Sequence, residues 1–506
     1  MRIDERRHDR RAFRIHARRR RGQLLARDDG SVDDGERDRG AIEIARVRQE
    51  KGAGPHGRIG RGVQRAAAAD DRERENEVPH RDPFAPERAS VTVTGAMSRA
   101  LALLALLTAC AGAPSPASRS ASMDETGRFG DDVAFLRAHT EGTIVLSRGD
   151  ARVAISPAYQ GRVMTSSARG DEGTSCGWIH REAIASGVRA PHMNAFGGED
   201  RFWLGPEGGQ YGLYFAPGAP FDLAHWQVPE PIDWGGWDVV SRTESAVSFR
   251  RDMQLVNASG TPFSIRVDRT VQLLDDAETS AFVEGHADVS VVAYASINEI
   301  TNTGDAAWEQ ASGLVSIWIL SMYPHSPRAT VVIPFHADAT GPIVNDAYFG
   351  AVPTDRLRVD DGVLYFRADG QRRSKIGVPS GRAMDTLGSW DPERELLTIV
   401  HATLPGEPAP YVNSMWETQS APYAGDVVNS YCDGPVGPGQ PPLGPFYELE
   451  SSSPAAALAP GTSMQHTQTT LHVQGPRTSL DAIARARFGV GLDAIEHALD
   501  ASAPQK

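Results

Sequence analysis

The sequence predicts an all-β fold built as one large domain, and three observations carry that prediction. From Glu141 onward, short apolar or alternating runs such as TIVLS, ARVAIS, YGLYF, AVSFRRDMQLVN, GLVSIWIL, TVVIPF, LLTIVHATL and HTQTTLHVQG recur every ~8–20 residues, punctuated by Gly, Pro, Asp and Asn. In FSIRVDRTVQLL the alternation is clean: Phe263, Ile265 and Val267 share one strand face, and Ser264, Arg266 and Asp268 share the other. A helical period is confined to SLDAIARARFGVGLDAIEHALDAS near the C terminus.

Taken in order, the chain begins with a composition unlike the rest. Of 506 residues, 52 are Lys or Arg and 65 are Asp or Glu, a formal net charge of −13. Residues 1–96 hold 23 of the basic and 18 of the acidic groups, leaving 29 and 47 for residues 97–506. The first segment is Arg-rich, poor in aliphatic residues and without a sustained period, so it cannot bury enough apolar surface to offset chain entropy. Disorder is expected there, and a start of translation at Met97 is the simpler account of it. The interleaved acids cancel most of the basic field, and the acidic remainder argues against nucleic-acid binding.

From Met97, MSRALALLALLTAC places one Arg before an apolar run from Ala100 to Leu107, too short for the ~20 residues that span a bilayer. Leu107-Thr108-Ala109-Cys110 resembles a bacterial lipobox, so residues 97–110 are expected to be an export signal and Cys110 the lipidated residue. That implies anchoring in the cell envelope, at the periplasmic face of the outer membrane, with the membrane met only through the lipid. Small residues, Pro and Ser make 111–134 a tether, and the β domain is expected over 135–476. Ser479 is placed to cap a helix from Leu480 to Phe488, and Leu492 to Leu499 forms a second, giving a helical segment over 477–506. Cys176 and Cys432 either pair in an oxidising compartment or sit as two buried thiols.

The densest chemistry lies in PHMNAFGGEDRFWLGPEGGQYGLYF, residues 191–215. Paired glycines permit positive φ and close backbone approach, while Arg201, Trp203 and Glu207 supply donors, a stacking face and acceptors suited to a sugar ring. No helix opens after the glycines, so this is no phosphate loop. Neither an EF-hand nor an HExxH pattern occurs, and no metal or cofactor is expected.

GGEDRFWLGPEGGQ, with GRVMTSSARGDEGTSCGWI before it and SIWILSMYPHSPRATVVIPF and PFYELESSSPAAALAPGTSMQHTQTTLHVQG after it, resembles an uncharacterised family of exported bacterial proteins related to galactose mutarotase-like (aldose 1-epimerase-like) domains. The resemblance covers most of residues 135–475 and implies a β-supersandwich with a concave, saccharide-binding face. Such folds serve epimerases, lyases, hydrolases and non-catalytic modules alike. Aldose mutarotases use a glutamate base and a histidine acid. Candidates for the first are Glu207, Glu299, Glu417, Glu448 and Glu450, and for the second His192, His325, His466 and His472. Glu448 and His466 are taken as the catalytic pair, with Arg201, Trp203, Glu207, His192, Glu299 and His325 as substrate contacts. Trp226, Trp234 and Trp237, in a Pro- and Gly-rich loop, are expected to stack on a ligand or cover the cleft. The reading is a lipid-anchored carbohydrate-binding protein with epimerase-like potential; its rival is a non-enzymatic envelope scaffold.

Overall fold

The computed structural model describes residues 127–406, 408–435 and 441–500. The expectations for residues 1–96, for the signal ending at Cys110 and for the tether up to residue 126 lie outside the described residues. Among the described residues, no helix is long and apolar enough to cross a membrane.

The chain runs through α1 (Phe129–His139), β1 (Ile144–Arg148), β2 (Ala151–Ser156), β3 (Arg162–Ser167), α2 (Arg181–Ser186), β4 (Arg201–Gly205) and α3 (Glu230–Asp233). Next come β5 (Asp238–Arg242), β6 (Ala246–Val256), β7 (Pro262–Leu273), α4 (Asp276–Phe282), β8 (Ser290–Asn302), β9 (Ser316–Pro324) and β10 (Thr330–Pro334). Then follow β11 (Leu357–Asp360), β12 (Val363–Arg367), β13 (Ser374–Pro379), β14 (Thr386–Asp391) and β15 (Leu396–Ala402). The course ends with β16 (Asp426–Cys432), β17 (Phe446–Ser452), β18 (Ser463–Gln474), α5 (Arg477–Phe488) and α6 (Leu492–His497).

The predicted all-β class is what the structure shows. A ten-stranded sheet, in the order β11-β12-β10-β14-β15-β18-β8-β7-β6-β5, faces a five-stranded sheet, β13-β16-β17-β9-β4, and a small sheet β1-β2-β3 packs against β7 and β8 of the larger one. In β7 the apolar set Phe263, Ile265, Val267 and Val271 is buried while its neighbours are partly exposed, as the alternation dictates. Between the two large sheets, Ile317 and Ile319 of β9 pack with Val267 and Tyr294, and Leu449 of β17 packs with Val400 and Leu387.

Two sequence boundaries shift. Residues 129–134, assigned to the tether, begin α1, because Phe129, Val133 and Leu136 recur at helical spacing and pack against Ala154 and Met164. At the other end α5 starts at Arg477, with Pro476 as its N-cap; Ser479 lies inside the first turn and donates to Asp288 Oδ2 at 2.6 Å. It is no cap, since the helix already begins at Arg477 and the N–H groups of Ser479 and Leu480 donate to the Pro476 carbonyl. α5 and α6 cover one face of the ten-stranded sheet, where Leu480, Ile483, Phe488 and Ile495 meet Trp390, Leu397 and Leu471.

Candidate functional site

Strand register assembles the site. Residues directly opposed in antiparallel strands point to the same side, and the pairs Trp203 with Trp318, Arg201 with Leu320, Met322 with Glu448, and Glu450 with Leu320 put these side chains on one face of the five-stranded sheet. Tyr431 opposes Glu448, and Lys375 opposes Tyr431, extending that face across β16 and β13. Phe202, Leu204, Ile317, Ile319 and Leu449 take the opposite face and fill the core. One side of the sheet is therefore apolar core; the other carries charge and aromatic rings.

That second side is the floor of a cleft of about 430 Å³, walled by loops that include His192, Met193, Glu207, Trp226, Tyr348 and Trp416. Its cations are neutralised locally. Arg201 Nη2 donates to Glu448 Oε1 at 2.9 Å, with the guanidinium 4.1 Å from the Trp203 ring centre. Lys375 Nζ donates to Glu450 Oε2 at 2.9 Å and lies 4.8 Å from the centre of Trp318, whose Nε1 donates to the same oxygen at 2.9 Å. Arg373 pairs with Asp433 at 3.7 Å.

Glu207 differs from these carboxylates. Its side chain accepts from Trp226 Nε1 at 2.9 Å, its backbone N–H donates to Ser414 Oγ at 3.1 Å, and no Lys or Arg forms an ion pair with it among the described residues. Burial pushes its carboxyl up to about 7, with Lys375 and the Trp226 bond opposing. Glu448 is also raised to about 7 by burial, which outweighs the attraction of Arg201. His192 Nδ1 lies 2.7 Å from the carbonyl oxygen of Trp226, which fixes that nitrogen as the donor and leaves Nε2 an acceptor in the neutral ring. Trp226 thus holds a histidine through its backbone carbonyl and a carboxylate through its indole N–H in the same cleft.

Arg201, Trp203, Glu207, His192 and Glu448 converge here, and the candidate base Glu417 also lines the cleft. The other expected contacts do not. His466 is buried between the sheets, its Nε2 2.8 Å from Ser451 Oγ, and burial lowers its imidazole to about 4. Even-numbered residues of β18 face the sheet interior, so a catalytic role for His466 with Glu448 is withdrawn. His472 takes the same inward face and meets Glu199 Oε2 at 3.0 Å. Glu299 lies on the half-exposed face of β8, the side away from buried Asn298 and Ile300. His325 follows β9 and packs on Gly370, outside the cleft lining. Cys176 and Cys432 are free and buried, each donating to a backbone carbonyl, so the disulfide alternative falls. Of the loop tryptophans only Trp226 lines the cleft; Trp237 packs edge-on to Phe202 and Trp234 beside Phe196.

The paired glycines serve the scaffold and not a ligand. Gly197 and Gly198 hold φ of 85° and 105°, and a Cβ on Gly197 would stand 2.2 Å from the Trp178 carbonyl oxygen. Lys375 was missed, although a signal existed: the chain's three lysines are Lys51, Lys375 and Lys506, so Lys375 is a lone compact cation in a chain that otherwise uses Arg. Among the described residues no group of three His, Cys, Asp or Glu side chains is placed to hold a metal ion.

A protein-family model described as "Family of unknown function (DUF6786)" matches residues 127–499. The chain belongs to DUF6786. No curated protein matches it. Solved structures similar to this DUF6786 member include a candidate aldose 1-epimerase from Escherichia coli K12, at 16% identity and TM-score 0.41, over 66% of this chain and 99% of that one. A galactose mutarotase-like protein from Lactobacillus casei matches at 11% identity and TM-score 0.39, over 65% and 100% of the two chains. A galactose mutarotase related enzyme from Lactobacillus acidophilus matches at 9% and 0.38, over 65% and 97%.

Proposed function

We propose that this DUF6786 protein binds a saccharide in the cleft and moves a proton on it, as epimerisation requires. The observation that carries the reading is Glu207: a carboxyl in no direct ion pair among the described residues, raised by burial to about 7 and bonded to an indole in an aromatic-walled cleft. A group poised near neutrality can both accept and return a proton. Arg201, Glu448 and His192 Nε2 supply further polar contacts, while Trp203, Trp226 and Trp416 supply apolar ring surface. Titrating a panel of free aldoses while following tryptophan fluorescence and anomer interconversion by NMR exchange tests it. A saturable fluorescence change with faster interconversion for at least one sugar is expected; no response to any sugar favours the scaffold reading.

The placement belongs to the same proposal: an exported protein lipidated at Cys110. Labelling with a palmitate analogue in a bacterial host will mark the wild type and not Cys110→Ala, and label surviving in the variant overturns the anchor.

A further inference from the structure

The cleft is longer than its charged centre. Along β9, Trp318 and Met322 both face it, and four residues of strand span ~13 Å. Trp318 neighbours Trp203, Lys375 and Glu450, whereas Met322 opposes Glu448 and leads to an end of different character. There Met322, Phe446 and Tyr431 form one apolar cluster with Phe349 against it. Trp178 stacks on Phe446 at 4.6 Å from behind, and Leu443, 44% exposed, sits on the cleft lining.

Several polar groups at this end turn to one another. Tyr431 Oη donates to Asp433 Oδ1 at 2.7 Å, Gly444 N–H donates to the other carboxylate oxygen at 2.9 Å, and Arg373 pairs with the same Asp433. A second sugar ring brings several hydroxyls, each of which loses water on entering and needs a partner. Beside the Arg373 guanidinium, 6.0 Å from the centre of the Phe349 ring, this end offers ring and thioether surface, continuous with the Arg201 and Glu448 centre in a single cavity.

We infer that the ligand is a saccharide carrying an apolar substituent, with the sugar over Arg201, Glu207 and Glu448 and an alkyl or acyl chain along Met322, Phe349, Phe446 and Leu443. This rests on the saccharide reading above and specifies its substrate class. Calorimetric titration with glucose and galactose bearing linear chains of one to eight carbons, as O1-alkyl or 6-O-acyl derivatives, tests it. In at least one series affinity is expected to rise about fourfold per buried methylene, and Leu443→Asp, a change at an exposed position, to flatten that rise. A flat series with bound parent sugars overturns the substituent and leaves the saccharide reading standing. An unchanged slope in Leu443→Asp overturns the location of the chain. Free alkanols binding as tightly as the alkylated sugars, or no derivative binding at all, overturn both.

Discussion

Arg269→Met is expected to destabilise the protein by about 3–5 kcal/mol at neutral pH, the usual consequence of removing one member of a buried ion pair. Arg269 and Asp200 are both fully buried, with Nη2 2.6 Å from Asp200 Oδ1. The same guanidinium donates to the backbone carbonyls of Asp200 at 3.1 Å and Gly161 at 3.1 Å, and to Asn298 Oδ1 at 2.6 Å. Methionine fills much of the space but satisfies none of these acceptors, so Asp200 is left as a buried carboxylate without a counter-charge. Burial already raises Asp200 above its ordinary value of 3.8, and loss of Arg269 removes the chief opposing influence. A folded carboxyl raised above its unfolded value contributes stability that is present below the unfolded value and lost as pH rises. The deficit should accordingly be smallest near pH 4 and grow toward neutrality. Urea denaturation of Arg269→Met across pH checks both the size and this slope. The double variant Arg269→Met, Asp200→Asn should recover part of the loss, because the orphaned charge is gone. Equal deficits in single and double variants would show that lost packing, and not the stranded carboxylate, dominates. Asp200 directly precedes Arg201, so loosening this pair also disturbs the start of the strand that delivers Arg201 and Trp203 to the cleft.

That dependence explains which parts of the site could be read in one dimension. Arg201, Trp203 and Glu207 were legible because they sit close together in a segment whose glycines and aromatics fit no helix. Glu448 and Glu450 were legible as sharing a strand face, since the side-chain period is two. Which neighbours that face meets was not, because β17 pairs with β9 more than a hundred residues earlier in the chain. β9 itself is buried on both sides, so Ile317 and Ile319 are chemically indistinguishable in sequence from cleft-facing Leu320 and Met322. His466 misled for the same reason: TQTTLHV alternates, but β18 lies in the middle of its sheet, where helices cover one face and the second sheet covers the other. Lys375 and Tyr348 reach the cleft from segments with no local signature of a site, and only the rarity of lysine marks the first.

Glu207→Gln is expected to slow any saccharide anomer interconversion by roughly 10²–10⁴-fold, the range for removing a positioned proton-transfer group. Glutamine keeps the shape of the side chain and an oxygen for Trp226 Nε1, so saccharide affinity should change far less than rate; a parallel collapse of both would place Glu207 in binding and not in proton transfer. In the wild type, activity should follow an ionisation near 7, where Glu207 passes from acid to base, and the variant should lack that limb. Trp226→Phe provides the complementary reading. The indole N–H lowers the Glu207 pKa by favouring the carboxylate, so its removal should move the limb to higher pH without abolishing it. Stability follows the same sign. Because burial raises Glu207 from 4.5 to about 7, its contribution to folding is present below pH 4.5 and is lost as pH rises through 7. His466 opposes this, since burial lowers it from 6.5 to about 4 and its contribution is lost as pH falls through that range. Glu207→Gln should therefore remove part of the fall in melting temperature between pH 5 and 8 while leaving the acid limb unchanged. A variant with lowered rate but an unaltered slope on the alkaline side would mean that the group titrating near 7 is Glu448, another cleft carboxyl that burial raises to about 7.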